Sequence, residues 1–539
     1  MGDGTLKYTK RILGLFMAVL CLMLCACGKE PEGPEDQLIY YNIDSEPVTL
    51  DPQIANDSGA RLVIMNIFEG LVRIGENNSI IKGAAESWDI SADNLMYTFH
   101  LRKGLKWNDG TELKAGDFAY GITRSIQAQT SSPTAHTLFC IKNAEKINSG
   151  KADTDTLGVF ATDDKTVVFQ LEYPDADFLQ LLATPPAMPC NKEFFEKTSG
   201  QYGRDSDKIL CNGTFYIREN GWSHDEYIYL RNNKEYVGQS KPVPAGVNIT
   251  IGKAYPDICA AIENGDIDCG AITNADMHRA EKAGFHLTSF GDTEWGISFN
   301  TKDELLSSRD IRCGLLASLD RKKILSSLPE HCTMTESIIP DSASVGDSSY
   351  RSKAGTLTFS GKEKPEVLLA KGMKAVNADA VTNITILCTD DEQTQSYVNN
   401  IIENWNNLTG GYFNKKPVPV SELKDRIESG RYEAVIAPLT IEGNTPLSTL
   451  ELFESSAKYN VANYSSEEYD ELVGNIRKNQ SSADITATKE AEQHLIDNGI
   501  FYPLYTENRY YASASNVTGI IFHSFGAEAD FSGATKTVE

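Results

Sequence analysis

Apolar and polar residues alternate along Tyr97-Thr98-Phe99-His100-Leu101, which places Tyr97, Phe99 and Leu101 on the buried face of a predicted strand. Asn108-Asp109-Gly110 follows as a tight turn, and Ala115 to Arg124 begins a helix. Upstream, Gln37-Leu38-Ile39-Tyr40-Tyr41 reads as the first strand, and Val63, Ile64, Ile67 and Phe68 fall on one helical face that ends at Gly70. Two later stretches share a helix-to-strand design. Pro256 opens a helix through Glu263 that Gly265 closes before the strand Ile267 to Ile272. Ser421 caps a helix bearing Leu423 and Ile427, which Gly430 ends before the strand Tyr432 to Ala437. The opposite step, a strand from Ile384 to Cys388 and then a helix bearing Tyr397, Val398, Ile401, Ile402, Trp405 and Leu408, predicts a mixed sheet in the second half. Ile311, Leu315, Leu316 and Leu319 form another core-facing stripe. No period of about 20 to 50 residues repeats, which excludes a solenoid.

A length of 539 residues implies about three or four folding units. With 41% hydrophobic and 23% charged residues the chain is neither disordered nor a multispan membrane protein. The formal net charge is -25, and because residues 1–26 carry +2, the remainder carries -27. Such a surface repels nucleic acid and anionic lipid, so neither is expected as a direct partner. The amino terminus reads as a processing signal: Lys7, Lys10 and Arg11 precede an apolar run from Ile12 to Ala26 that is too short for a comfortable span. Leu24-Cys25-Ala26-Cys27-Gly28 looks like a bacterial lipobox with Cys27 as the lipidated residue, a plain signal peptide cut at Ala26 being the alternative. Residues 27–36 are then the anchor and a polar tether.

Catalytic and metal motifs are missing. The chain has no H-E-x-x-H, G-x-S-x-G, Walker or dinucleotide glycine pattern. Asp153-Thr154-Asp155-Thr156-Leu157-Gly158 begins like a calcium loop, but Leu157 replaces an oxygen ligand and Asp164 stands where the bidentate Glu belongs. The eight cysteines beyond Cys27 show no zinc spacing; Cys190 with Cys211 is a possible bridge, against buried free thiols. No cofactor, metal or catalytic residue is expected.

The segment from Tyr97 to Arg124 resembles the signature of the family 5 solute-binding proteins, receptors that hand peptides, nickel chelates or sugars to ABC importers. Leu50-Asp51-Pro52 followed by Phe68-Glu69-Gly70-Leu71 matches two further family motifs in order. Trp295 to Thr301, the helix from Arg309 to Arg321 and Phe501 to Asn508 match the entry into the second lobe and the return to the first. In that helix Gly314 and Ser318 stand where the family has alanines. The match is weakest from Asp341 to Asn383.

The resemblance implies an α/β, periplasmic-binding-protein-like type II fold of two mixed lobes joined by a hinge. Its expected boundaries are a signal peptide at 1–26, a first lobe at 37–293 with an inserted subdomain at about 75–185, a second lobe at 294–502 and a return segment at 503–539. It implies a monomer that binds peptide between the lobes, delivers it to a permease and ATPase complex, and is held at the membrane by its lipid. A peptide receptor binds the ligand main chain as an added strand and its amine through a fixed anion. Relatives place that anion in a loop of the form A-D-Y-N-E-P. Here Ile441-Glu442-Gly443-Asn444-Thr445-Pro446 puts Glu442 at the acidic position, with Asn444 and Pro446 matching. Leu439 and Thr440 are then cleft main chain and wall, and Ser58 matches a ligand-pairing position of the first lobe. Trp295 is either cleft wall or core, and Glu442 either ligand anion or solvated loop carboxylate. Rival cargoes are a sugar, a nickel chelate or another small solute; rival classes are a secreted hydrolase and a peptide-sensing or adhesion protein.

Overall fold

The computed structural model describes residues 38–537 apart from 77–78, 176, 239–241, 327, 329–330, 346–347, 442, 444, 458, 479–484 and 525–527. The first lobe is built on a four-stranded sheet. Leu38–Ile43 pairs in parallel with Gly246–Ile251, which continues antiparallel through Tyr227–Asn232 to Phe215–Ser223. A second four-stranded sheet carries Met96–Leu101 between Ala85–Ile90 and Thr166–Gln170, with Val159–Asp163 at its edge. Tyr97, Phe99 and Leu101 are its buried face. Gly110, at φ +85°, closes the predicted turn, and the signature helix runs Ala115–Ile126. This inserted sheet shares one continuous apolar core with the first.

The signature motifs meet in buried ion pairs. Asp51 receives Arg124 Nη2 at 2.7 Å and Nη1 at 3.2 Å, so the opening motif clamps the end of the signature helix. Glu69 accepts from Arg102 and from the Tyr236 hydroxyl at 2.6 Å, tying the second motif to the strand end at Leu101. A guanidinium forks onto a carboxylate in the first case, which fixes orientation as well as charge.

Two long strands join the lobes. His286–Phe299 pairs antiparallel with Phe501–Ser513 from His286↔Ser513 to Ser298↔Phe501, with irregularities between Gly291 and Thr293 and between Trp295 and Gly296. At one end Phe290 and Tyr511 pack on the first core; at the other Trp295, Ile297, Phe501 and Tyr505 belong to a second. A small third cluster, including Cys259 and Tyr510, lies at the first end. The second lobe continues the sheet through Ala434–Thr440 to Ile384–Thr389 and Phe413–Val418, the last two steps parallel. The helix Glu392–Thr409 is the expected strand-to-helix step. Ser421 does not cap its helix, which starts at Val420 with Pro419 in the cap position; proline's fixed φ suits a helix start without any side-chain bond. The strand after it starts at Ala434 and runs three residues past Ala437.

Candidate ligand-binding cleft

The strand Ala434–Thr440 is paired along its whole length on one side, from Ala434↔Phe299 to Thr440↔Thr293. On the other side only Ala434 and Val435 have partners, Ile386 and Leu387. From Ile436 onward that edge carries no strand among the described residues. Pro438 sits in the open stretch, where its missing N–H costs no ladder bond, and its carbonyl accepts from the Tyr459 hydroxyl at 3.4 Å. Strand alternation turns the main chain of Ile436 and Thr440 to the same side as Pro438.

Pro438 and Tyr459 also line a cavity of about 1620 Å³, walled on one side by 136–181 of the inserted subdomain and on the other by 420–477 of the second lobe. Drug-sized pockets hold about 300–1,000 Å³, so this space suits a ligand of several residues. Phe139, Tyr173, Leu181 and Leu447 supply apolar surface. The lobes touch across it where the Thr445 hydroxyl donates to Asp177 Oδ2 at 2.9 Å. Thr445 also caps the short helix Pro446–Leu450.

Two carboxylates dominate the inserted wall. Burial, with Asp175 alongside, pushes Asp177 up to about 7. Burial raises Asp175 as well, against the bond from the Asp177 N–H at 2.8 Å and one from the Cys140 thiol. Facing them, Arg477 is taken up by Glu451 and Glu454, each at 2.7 Å. In the crossing strand, Glu294 is fully buried and, among the described residues, receives only the Thr506 hydroxyl, at 2.8 and 3.0 Å. Burial pushes it up to about 8.

Strand pairing brings Trp295, Leu439 and Thr440 together, since Trp295 lies opposite Pro438 and Thr293 opposite Thr440. Trp295 is 8% exposed, stacks on Tyr505 at 6.1 Å and donates Nε1–H to Glu507 at 2.6 Å. Leu439 is fully buried in the second core. Ser58 is exposed at the start of the first-lobe helix Ser58–Ile67, whose cap is Asp57. Cys27, Glu442 and Asn444 lie outside the described residues, as do the signal peptide and tether. Asp175, Asp177 and Arg477 carry no motif in the sequence; the only local signal is two acids on a short loop after a strand. Cys190 and Cys211 are free thiols. Asp257, Cys259 and Asp276 gather donor atoms within 4.8 Å of one another, but Asp257 caps a helix and pairs with Arg279 at 2.6 Å, so a cation is already in place.

Three similarities bear on this architecture. A dipeptide-binding protein of Bacillus subtilis is 24% identical over 97% of this chain and 98% of its own. A probable deoxycholate-binding periplasmic protein of Escherichia coli is 36% identical, over 42% of this chain and 43% of its own. The structure of the substrate-binding domain of an oligopeptide ABC transporter from Bacillus anthracis matches with a TM-score of 0.69 at 25% identity, covering 94% of this chain and 99% of that one. The fold is that of two-lobed, type II periplasmic binding proteins, and the relatives are transport receptors, not enzymes. With residues 79–461 matched by the family model, the chain belongs to the bacterial extracellular solute-binding proteins, family 5.

Proposed function

We propose that this chain is the lipid-anchored peptide receptor of an ABC importer, closing its two lobes on a peptide for delivery to a membrane permease. The observation that carries the reading is the unpaired edge of Ile436–Thr440 beside a cavity of about 1620 Å³. An extended peptide laid along that edge gains main-chain hydrogen bonds whatever its side chains, and a large wet cavity tolerates those side chains. Similarity along nearly the whole chain to a dipeptide-binding protein supports the same class. In this reading Thr440 offers main chain to the ligand, Glu442 receives its amine with Asn444 beside it, and Ser58 pairs from the first lobe. Trp295 and Leu439 back the strand from the core side. The two long crossing strands, irregular between Gly291 and Thr293, are the hinge. Cys27 carries the lipid, and the receptor acts as a monomer.

The 36% identity to a probable deoxycholate-binding protein favours a second reading, an amphipathic small solute. Mass spectrometry under native conditions, with a mixed pool of di- to pentapeptides and separately with deoxycholate, separates the two. Retained peptides, and a rise in Tm that follows RT ln(1 + [L]/Kd), about 2.7 kcal/mol at a hundredfold excess over Kd, are expected. Stabilisation by deoxycholate alone refutes the peptide reading.

A further inference from the structure

The cavity is strongly one-signed. Among the described residues lining it are seven carboxylates against two lysines and one arginine. The arginine, Arg477, is held between Glu451 and Glu454 at 2.7 Å from each, so its charge is spent inside the wall. Asp175 and Asp177 have no such partner: no lysine, arginine or histidine of the described residues forms an ion pair with either. Among the described residues their close donors are neutral, the Thr445 hydroxyl at 2.9 Å on Asp177, and on Asp175 the Cys140 thiol and the Asp177 N–H. The two acids stand two residues apart on one loop that faces the second lobe, at the point where the lobes touch.

A carboxylate withdrawn from water without a counter-charge is costly, and the structure offers each member of this pair half of what it needs. The missing half is a cation small enough to enter a closed cleft and able to donate several hydrogen bonds at once. An ammonium or a guanidinium group meets both conditions, and a guanidinium spans two oxygens in a plane.

We propose that Asp175 and Asp177 form a cation-accepting subsite of the cavity, contributed by the inserted subdomain, so that the favoured ligands are peptides bearing a lysine or arginine side chain. This rests on the peptide reading above. It adds to that reading a second anion, distinct from Glu442, and a selectivity. Glu442 meets the terminal amine, which every peptide has; the aspartate pair meets a side-chain charge that only some have. Thr445 is three residues after Glu442 in the sequence, and a cation reaching Asp177 displaces or joins the Thr445 hydroxyl at the lobe contact.

Calorimetry with Ala-Lys-Ala-Ala, Ala-Gln-Ala-Ala and their amino-terminally acetylated forms tests the assignment on the full mature chain, its Asp177→Asn and Asp175→Asn variants, and Thr445→Val. The parent is expected to bind the lysine peptide at least tenfold more tightly than the glutamine peptide, acetylated or not. Persistence of the preference on acetylation assigns the site to the side chain; its disappearance assigns the cation to the amino terminus and overturns the selectivity. Asp177→Asn should abolish the preference while leaving the glutamine peptide within about twofold. Equal losses for both peptides mean a structural role and refute the subsite. Thr445→Val should retain the preference, since the hydroxyl bridges the lobes without neutralising charge.

A further readout is proton release. Asp177 is held protonated near pH 6 by burial and by Asp175 and Glu451 around it, with Arg477 across the cavity beside Asp175. Capture of a cation therefore releases close to one proton at pH 6 and none at pH 8. If none of the peptides binds, 1,5-diaminopentane probes the same groups alone. A rise in Tm with the parent and none with Asp177→Asn preserves the subsite while the peptide reading falls, and no rise with either protein overturns the subsite as well.

Discussion

Asp51→Ala removes one half of a buried ion pair and leaves the other in place. Arg124 and Asp51 are 5% and 3% exposed at their side chains, with Nη2 at 2.7 Å from one carboxylate oxygen and Nη1 at 3.2 Å from the other. Asp51 also accepts from the Gln53 N–H at 3.1 Å. Stranding a buried guanidinium costs about 3–5 kcal/mol, and the lost backbone bond adds about 0.5–1.5 kcal/mol. Gln53 Oε1 and the Phe195 ring, 3.8 Å beneath the guanidinium, remain and soften the loss, so about 3–5 kcal/mol in total is expected. The assay is urea denaturation followed by hydrogen exchange at residues 50–55 and 115–126, because a two-lobed chain need not unfold in one step. Loosening should appear in these first-lobe segments and leave Ala434–Thr440 protected as before. Arg124→Met in the same chain should recover most of the loss, since it removes the stranded charge. If the two substitutions instead add within about 0.5 kcal/mol, the pair is uncoupled and the reasoning fails.

Two further outcomes follow from the proposed receptor. Glu442→Gln should weaken a free peptide about 10- to 150-fold, the equivalent of about 1.5–3 kcal/mol, and acetylation of the peptide should lose a comparable amount non-additively; equal binding of free and acetylated peptide by the parent removes Glu442 from the site. Cys27→Ser should move an exported protein from the membrane fraction to the surrounding fluid, and unchanged partition refutes the lipid anchor.

The strands and helices of the first lobe were legible because each has one wet and one dry face. Met96–Leu101 buries every second residue, and the helix Ser58–Ile67 buries Leu62, Val63, Ile64 and Ile67 on one side. Gly314 was legible as a departure from the family's helix, and its reason lies elsewhere in the chain. A Cβ there would stand 2.9 Å from Leu369 Cγ and 3.0 Å from the Pro365 carbonyl. Gly372 of the same neighbouring helix, Pro365–Ala375, would in turn collide with Ile311. Two helices cross backbone against backbone, and the partner falls in the stretch where the family resemblance was weakest. The end of Ala434–Thr440 was misjudged for a related reason: Pro438 reads as a strand breaker until the edge it occupies is known to be open. The Asp175 and Asp177 pair was not legible at all, because nothing local distinguishes a solvated acidic loop from one facing another lobe, 268 residues away at the Thr445 contact.

The acids of this chain separate by what neutralises them, and that separation bears on function. Asp51 and Glu69 are matched with arginines inside the first lobe, and Glu492 with Arg351 at 2.7 Å inside the second. Those pairs are satisfied without a ligand, and they join segments far apart in sequence, which is why the motifs that contain Asp51 and Glu69 mark the fold and not the cargo. Glu294 lies at the crossing of the lobes with one hydroxyl for company, and burial keeps its proton on at neutral pH. A neutral acid at that place carries no charge for the hinge to move. Asp175 and Asp177 fit neither case, since they are half-buried, both raised by burial, with Asp175 raising Asp177 further, and open to the cavity. Packing alone gives no reason for such an arrangement, because an asparagine would fill the same volume without the electrostatic cost. A ligand that brings the missing positive charge does give one, and it makes the inserted subdomain a contributor to selectivity instead of a passive flank of the first lobe.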